Sequence, residues 1–315
     1  MKEFGISVSC YRGDLPLLRG CLASIRYFAP DVPICLVIDQ NFDSRPFERR
    51  YALTCIRRKD VVNADLKTYG FGYGVTKMVA LWEAPFERIL QLDADVVLWG
   101  DIRKNLPCGH WDFVYNEPHE EITDFIQKTQ YFDPSKIFNF TRPFDWQGKE
   151  YFNSGVFACR VGALDLEEAI QLMTILKKYG HSAFPLNDQS VLNLLVFRMV
   201  SEGRLTAVKS HLQSAVPVIA RKELENRFRL IDGVPQLWDK PTAIHWAGPK
   251  PYTTNPDVFS LPMDYFREIG MREFGLPGWV PAKTAMRADE IWHRDVPRAV
   301  WNSKRVVKKM IGRIH

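Results

Sequence analysis

Residues 88–98 read Arg-Ile-Leu-Gln-Leu-Asp-Ala-Asp-Val-Val-Leu. A short apolar run of this kind is what a strand buried on both faces looks like. The run enters Asp93-Ala94-Asp95 and resumes as Val96-Val97-Leu98. Acids set between two apolar runs are costly to bury unless something pairs them. In an extended segment residues i and i+2 point the same way, so both carboxylates are expected to face one cation. Two carboxylates with water suit a hard octahedral ion such as Mg²⁺ or Mn²⁺. The alternative is a strand-end turn with solvated acids, since on the order of one D-x-D arises by chance in a chain this long.

Upstream, Gly5–Cys10 (GISVSC) predicts a strand stopped by Tyr11-Arg12-Gly13. Leu15, Leu18, Leu22 and Ile25 then recur at helical spacing behind Asp14, a suitable N-cap. Pro33 opens a second strand, Ile34–Asp39, and a helix over about 74–82 precedes the strand at 88–92. Strand, helix and strand in this order predict an α/β fold with a mostly parallel central sheet flanked by helices. In such open sheets ligands collect at the carboxyl ends of the strands. Between Asn116 and Glu150 the periodicity breaks down, and aromatics such as Phe125, Tyr131 and Trp146 alternate with acids and prolines. A stretch this irregular is either a functional loop region or mobile. Regularity returns in a strand at 155–159, helices near 165–179 and 188–199, and a strand at 242–246 that leads into Gly248-Pro249-Lys250-Pro251.

The 315 residues suit one large α/β domain with a C-terminal extension, and 46% apolar with 13% aromatic content excludes intrinsic disorder. The net charge of +5 is a property of the tail. Six basic and no acidic residues follow Pro297, which leaves 36 basic against 37 acidic residues elsewhere. A generally basic nucleic-acid binder is thereby excluded, and no nucleic-acid partner is expected. Six scattered cysteines without a C-x-x-C pair suggest neither a zinc cluster nor a disulfide framework. No run reaches the ~18 apolar residues of a bilayer span, and the Lys2-Glu3 opening lacks the character of a signal peptide. A cytoplasmic location with reduced thiols is expected. Gly70–Gly74 (GFGYG) carries no nucleotide fingerprint, and no Walker A loop, G-x-S-x-G elbow or H-E-x-x-H appears.

Three further constellations carry chemistry. His245 lies in the apolar strand Ala243-Ile244-His245-Trp246. It is either a core histidine with a satisfied hydrogen bond or the residue that completes a cation site, where imidazole favours Mn²⁺ over Mg²⁺. Lys250 follows in a loop stiffened by two prolines, placed either to neutralise a phosphate or simply to face solvent. Asn153-Ser154-Gly155 precedes a strand and Asn187-Asp188-Gln189 precedes a helix, both ordinary capping positions. A cap does not require Gln189.

In order, Lys77 on a helix, LDADVVLWGD, YFNSGVFACR, LNDQSVLN and IHWAGPKPY resemble the retaining family 8 glycosyltransferases, the group containing glycogenin and bacterial lipopolysaccharide galactosyltransferases. The resemblance spans about 74–252 and implies a GT-A fold, a doubly wound nucleotide-sugar-binding domain with a D-x-D metal site. It implies that Asp93, Asp95 and His245 bind Mn²⁺ (or Mg²⁺), with Ala94 between the acids at the donor. Lys250 and Gly248 would lie against the donor diphosphate and Lys77 near its phosphate and sugar. Asn153 and Asp188 would hold the sugar hydroxyls, and Gln189 would face the anomeric carbon. The family's first strand usually ends in an acidic residue and an asparagine–tyrosine pair that read the base and ribose. Here Ser9-Cys10-Tyr11 stands instead, leaving Tyr11 to stack on the base and Asp39 to reach it, with UDP as the implied carrier. The implied activity is metal-dependent transfer of a sugar from a nucleotide sugar to a glycan or glycolipid acceptor with retention, by front-side attack or by double displacement.

The catalytic domain is expected over 1–285, with donor-binding residues in about 1–101 and acceptor-framing loops in about 116–150. Residues 286–315 read as a basic amphipathic tail. From Arg298, Val300, Val306, Val307, Met310, Ile311 and Ile314 share an arc of roughly 140° opposite Lys304, Arg305, Lys308 and Lys309. Such a helix either docks on the domain or lies on an anionic leaflet at the inner membrane face, serving a lipid-linked or lipopolysaccharide-type acceptor. Two rival functions are a sugar nucleotidyltransferase and a catalytically silent glycan- or membrane-binding module. The poor glycine-rich match at Tyr11-Arg12-Gly13-Asp14 weighs against the nucleotidyltransferase.

Overall fold

The structure, a computed structural model, describes residues 2–72, 74–118, 123–146 and 148–302. Its strands are β1 (Lys2–Tyr11), β2 (Ile34–Asp39), β3 (Leu53–Arg57), β4 (Phe86–Asp93), β5 (Val96–Trp99) and β6 (Phe113–Asn116). They continue as β7 (Val156–Arg160), β8 (Ala207–Ser210), β9 (Gln213–Val216), the pair β10 (Leu230–Ile231) and β11 (Val234–Pro235), and β12 (Thr242–Trp246). The central sheet has seven strands in the order β3-β2-β1-β4-β7-β6-β8. β3, β2, β1 and β4 run parallel, β7 is antiparallel to both β4 and β6, and β8 is parallel to β6. The sheet is mostly parallel, as its βαβ start predicts.

Alternate residues of the central strands enter two different cores, which is why the strands read as unbroken apolar runs. Cys35, Val37 and Ile89 face one core together with Leu172, Leu176, Leu192 and Leu195 from the helices Leu166–Tyr179 and Asn187–Ser201. Ile34, Leu36, Ile38, Leu90 and Leu92 face the other, against Leu15, Leu18, Leu22 and Ile25 of the helix Leu15–Phe28. Asp14 precedes that helix without capping it by its side chain, and instead accepts a hydrogen bond from Tyr252 Oη at 3.3 Å. The expected helix at 74–82 is a 3-10 segment, Val75–Val79, followed by one turn, Ala80–Glu83.

After Asp93 the chain turns at Ala94-Asp95 and leaves the central sheet. It re-forms as β5 in a second sheet of order β5-β12-β9, with β12 antiparallel to β5 and parallel to β9. The two acids therefore sit at the junction of two sheets and not on one extended strand, and the turn brings their carboxylates together. Trp99 and Trp246 are buried in a third core with Phe266 of the helix Leu261–Glu273. Among its described residues the irregular 116–150 region carries short helical pieces, Asp124–Ile126, Gln127–Tyr131 and Pro134–Ile137, and Phe132 and Ile137 are fully buried.

A helix Ala282–Glu290 continues through a wider turn, Ile291–Asp295, and stays helical to residue 302. It is fastened to the domain by the wholly buried pair Arg267–Glu290 at 2.8 Å and by Arg19–Asp289 at 3.0 Å. Of the amphipathic arc, Val300 is described and exposed, whereas Val306 to Ile314 lie outside the described residues. No described helix is long and apolar enough to cross a membrane, and all six cysteines are free thiols.

Candidate active site

β4 carries Asp93 to its carboxyl end, where the backbone N–H bonds Gly155 O at 3.0 Å. The turn to β5 presents Asp95, and the β5–β12 register sets His245 opposite Val96. One ligand atom from each of Asp93, Asp95 and His245 falls within 4.8 Å of the others. His245 Nε2 is 3.5 Å from Asp95 Oδ1 and 4.0 Å from Asp93 Oδ2. A Cβ at residue 155 would overlap the His245 ring, so only glycine lets β7 start beside the imidazole.

The imidazole is aimed by a residue the sequence did not reveal. Gln213, in β9, sits 2.9 Å from His245 Nδ1 through its amide oxygen and 3.4 Å from Asn153 Oδ1 through its amide nitrogen. This arrangement assigns the proton to Nδ1 and turns the Nε2 lone pair toward the two carboxylates. Asp95 Oδ1 is buried and has no hydrogen-bond partner, an expensive state for a carboxylate oxygen. Two carboxylates and an imidazole converging there fit a divalent ion.

Two lysines bracket the acids. Lys77 Nζ is 2.7 Å from Asp93 Oδ2 and 2.8 Å from Asp188 Oδ2, and it also donates to Ser154 O at 3.3 Å. Lys250 Nζ pairs with Asp95 Oδ2 and donates to Trp246 O at 2.7 Å. Burial pushes Asp93 up to about 6 despite the charge of Lys77, with Asp95 adding repulsion. Burial also opposes ionisation of Asp95, but the charge of the Lys250 ammonium and its hydrogen bond hold the Asp95 pKa below the usual carboxylate range. Burial lowers the ammonium pKa of Lys77, and the charges of Asp188 and Asp93 outweigh it, leaving the lysine more basic than usual.

Asp93, Asp95, Lys77 and Lys250 line a cavity of ≈ 670 Å³, and His245 lies buried behind the two acids and outside that lining. Ser9, Tyr11, Asp39, Lys77, Ala94, Asp188, Gly248 and Lys250, which the family resemblance groups together, all line the cavity. Ser9 Oγ lies 3.5 Å from Asp93 Oδ1, and Tyr11 is 44% exposed at the rim. Asp188 is fixed by Ser154 Oγ at 2.8 Å as well as by Lys77. Asn153 and Gln189 line a neighbouring cavity of ≈ 410 Å³ instead. Asn153 Oδ1 accepts from Gly155 N at 2.8 Å. Gln189 donates to Gln130 O at 2.9 Å and accepts from Ser154 N at 3.4 Å, tying the 116–150 region to the start of β7. Asp14, Asn255, Arg294 and Arg298 also line the larger cavity. Sequence reasoning missed them because no local motif marks them.

No protein-family model matches this chain, and no curated protein matches it by sequence. Solved structures do resemble it. The fold and site define an α/β protein with a mostly parallel central sheet and an acidic cluster at a strand end. The particular likeness is to galactosyltransferase LgtC in complex with donor and acceptor sugar analogues, at TM-score 0.55 and 14% identity over 87% of this chain and 98% of that one. The bifunctional glycosyltransferase WbbM in its apo form gives TM-score 0.52 at 14% identity, over 91% of this chain and 52% of that one. The apo glycosyltransferase GlyE of Streptococcus pneumoniae TIGR4 gives 0.50 at 12%, over 92% and 63%. This chain has the GT-A fold of these proteins.

Proposed function

We propose that this chain is a metal-dependent glycosyltransferase that moves a sugar from a nucleotide-sugar donor, with UDP as carrier, to a glycan or glycolipid acceptor with retention. One observation carries the reading. Asp93, Asp95 and His245 converge at the junction of two sheets around a buried, unpartnered carboxylate oxygen, with Lys77 and Lys250 on either side.

In this reading Asp93, Asp95 and His245 hold the ion, which supplies charge neutralisation for the donor diphosphate. Lys250, beside Gly248, stabilises the negative charge that develops as the bond from the anomeric carbon to the diphosphate oxygen breaks. Ser9, Tyr11 and Asp39 receive the nucleoside end. Asp188 and Asn153 hold the sugar hydroxyls, with Lys77 fixing Asp188. The Gln189 carboxamide oxygen supports the face of the oxocarbenium-like sugar without being a strong nucleophile. The acceptor oxygen bonds the anomeric carbon as the diphosphate oxygen leaves and its proton passes to that departing oxygen, and a lipopolysaccharide-type acceptor fits a chain whose C-terminal end is basic. Attachment of the basic C-terminal tail to an anionic inner leaflet goes with that acceptor, and deletion of residues 298–315 then abolishes co-sedimentation with anionic vesicles.

The test is donor consumption. Purified protein incubated with UDP-sugars hydrolyses or transfers one of them in the presence of Mn²⁺ and not after chelation, and NMR of the released sugar gives the configuration of the donor. Absence of turnover with every nucleotide sugar overturns the proposal. Release of pyrophosphate from a nucleoside triphosphate and a sugar phosphate would assign the chain to the nucleotidyltransferases instead.

A further inference from the structure

The C-terminal helix has a role at the donor cavity that the sequence motifs do not hint at. Glu290 meets Arg267 in full burial and also accepts from Thr253 N at 3.0 Å and from Thr253 Oγ1 at 2.5 Å. Thr253 adjoins Tyr252 in the loop that carries Gly248 and Lys250. The lock therefore fastens the helix onto a wall of the cavity. One turn further on, the Arg294 guanidinium lies over the Tyr252 ring, 3.9 Å from its centroid, and lines the cavity. Tyr252 is itself pinned by Gly13 O at 3.4 Å and Asp14 Oδ1 at 3.3 Å. Arg298, four residues on and so on the same helix side, lines the same cavity.

The charge state of this wall differs from that of the acidic cluster. Lys77 and Lys250 are already engaged by carboxylates. Arg294 has a 3.6 Å contact from Nε to Asp295, and its Nη1 is buried with no hydrogen-bond partner. A buried guanidinium nitrogen without an acceptor is a costly arrangement in the free protein, and a planar fork matches phosphate oxygens two at a time.

We propose that Arg294 and Arg298 form an anion clamp, supplied by the C-terminal helix, for the diphosphate of the nucleotide donor. The proposal rests on the donor reading above and adds two binding residues to it. The phosphates enter between the cluster of Asp93, Asp95 and Lys250 and this helix, so the last described helix forms part of the donor site.

Calorimetric titration of the full chain with UDP, UMP, uridine and inorganic pyrophosphate in Mn²⁺ tests it. Arg294→Ala weakens UDP and pyrophosphate binding about 10- to 100-fold and leaves uridine binding unchanged. The more exposed Arg298→Ala gives a smaller loss of the same pattern, and Arg294→Lys recovers part of it because charge is kept and the fork is lost. Melting curves without nucleotide separate this from a folding defect. UDP and pyrophosphate affinities unchanged in Arg294→Ala and Arg298→Ala overturn the clamp while the donor reading stands. The clamp also falls if these variants lose only anionic-vesicle binding, which would make the two arginines a membrane contact. A wild-type chain that binds neither UDP nor pyrophosphate removes the donor reading itself.

Discussion

Asp93 is served by a lysine 16 residues away, Asp95 by one 155 residues away. The first acid belongs to the large sheet, where β1, β2 and β4 are adjacent and parallel and the chain between them forms covering segments. The second belongs to the small sheet, where β5 finds its place only by pairing with β12 and β12 only by pairing with β9. One side of the cation cluster thus stands on local order, and the other on contacts that close late in the chain. Changes in the C-terminal third should therefore disturb Asp95, His245 and Lys250 while sparing Asp93 and Lys77.

The largest effect expected is on the lock that holds the late side together. Glu290→Ala leaves Arg267 buried and unpaired, at a cost of about 3–5 kcal/mol in chemical denaturation. An unchanged midpoint would show that the two sides do not differ in this way. Next, Asp95→Asn cuts metal-dependent turnover by about 100-fold or more, roughly 2.7 kcal/mol in transition-state terms. The same variant with wild-type Mn²⁺ dependence would break the assignment of the small-sheet acid. Gly155→Ala pushes the His245 ring away from the acids. It should cost about 1–3 kcal/mol of stability and weaken Mn²⁺ binding about tenfold, measured by calorimetry.

The smallest effect is a pH trend. Burial pushes Asp14 up to about 7 and Asp93 up to about 6, against an ordinary value near 3.8. Between about pH 4 and 7 the folded state therefore holds protons that the unfolded chain has released. Stability then falls as pH rises through that window. Asp14→Asn flattens the upper part of the slope and raises the urea midpoint above pH 7. A midpoint that climbs from pH 4 to 7 in the wild type would contradict both shifts.

Strands and single site residues were legible on both sides. β2 and β12 have the bounds their apolar runs announce, and the D-x-D stood out because acids interrupt a buried run. His245 was visible for the same reason, as a polar residue inside an apolar strand. The geometry that unites them was not legible. Alternation along one strand suggested why the acids converge, whereas the cause is a turn between two sheets, which only the tertiary pairing of β5 reveals. Gln213 occupies a four-residue strand and looks like any polar residue until β9 lies beside β12. Arg294 reads as one more charge in a basic tail, because the buried Arg267–Glu290 pair that places it joins residues 23 positions apart on separate helices.

Anomalous diffraction from crystals grown with Mn²⁺ and UDP tests the central claim most directly. The account predicts one manganese peak bonded to Asp93, Asp95 and His245, with Asp95 Oδ1 among its ligands and the diphosphate on its open side. A nucleotide bound in the cavity with no metal at these three side chains, or a metal held elsewhere, would contradict it.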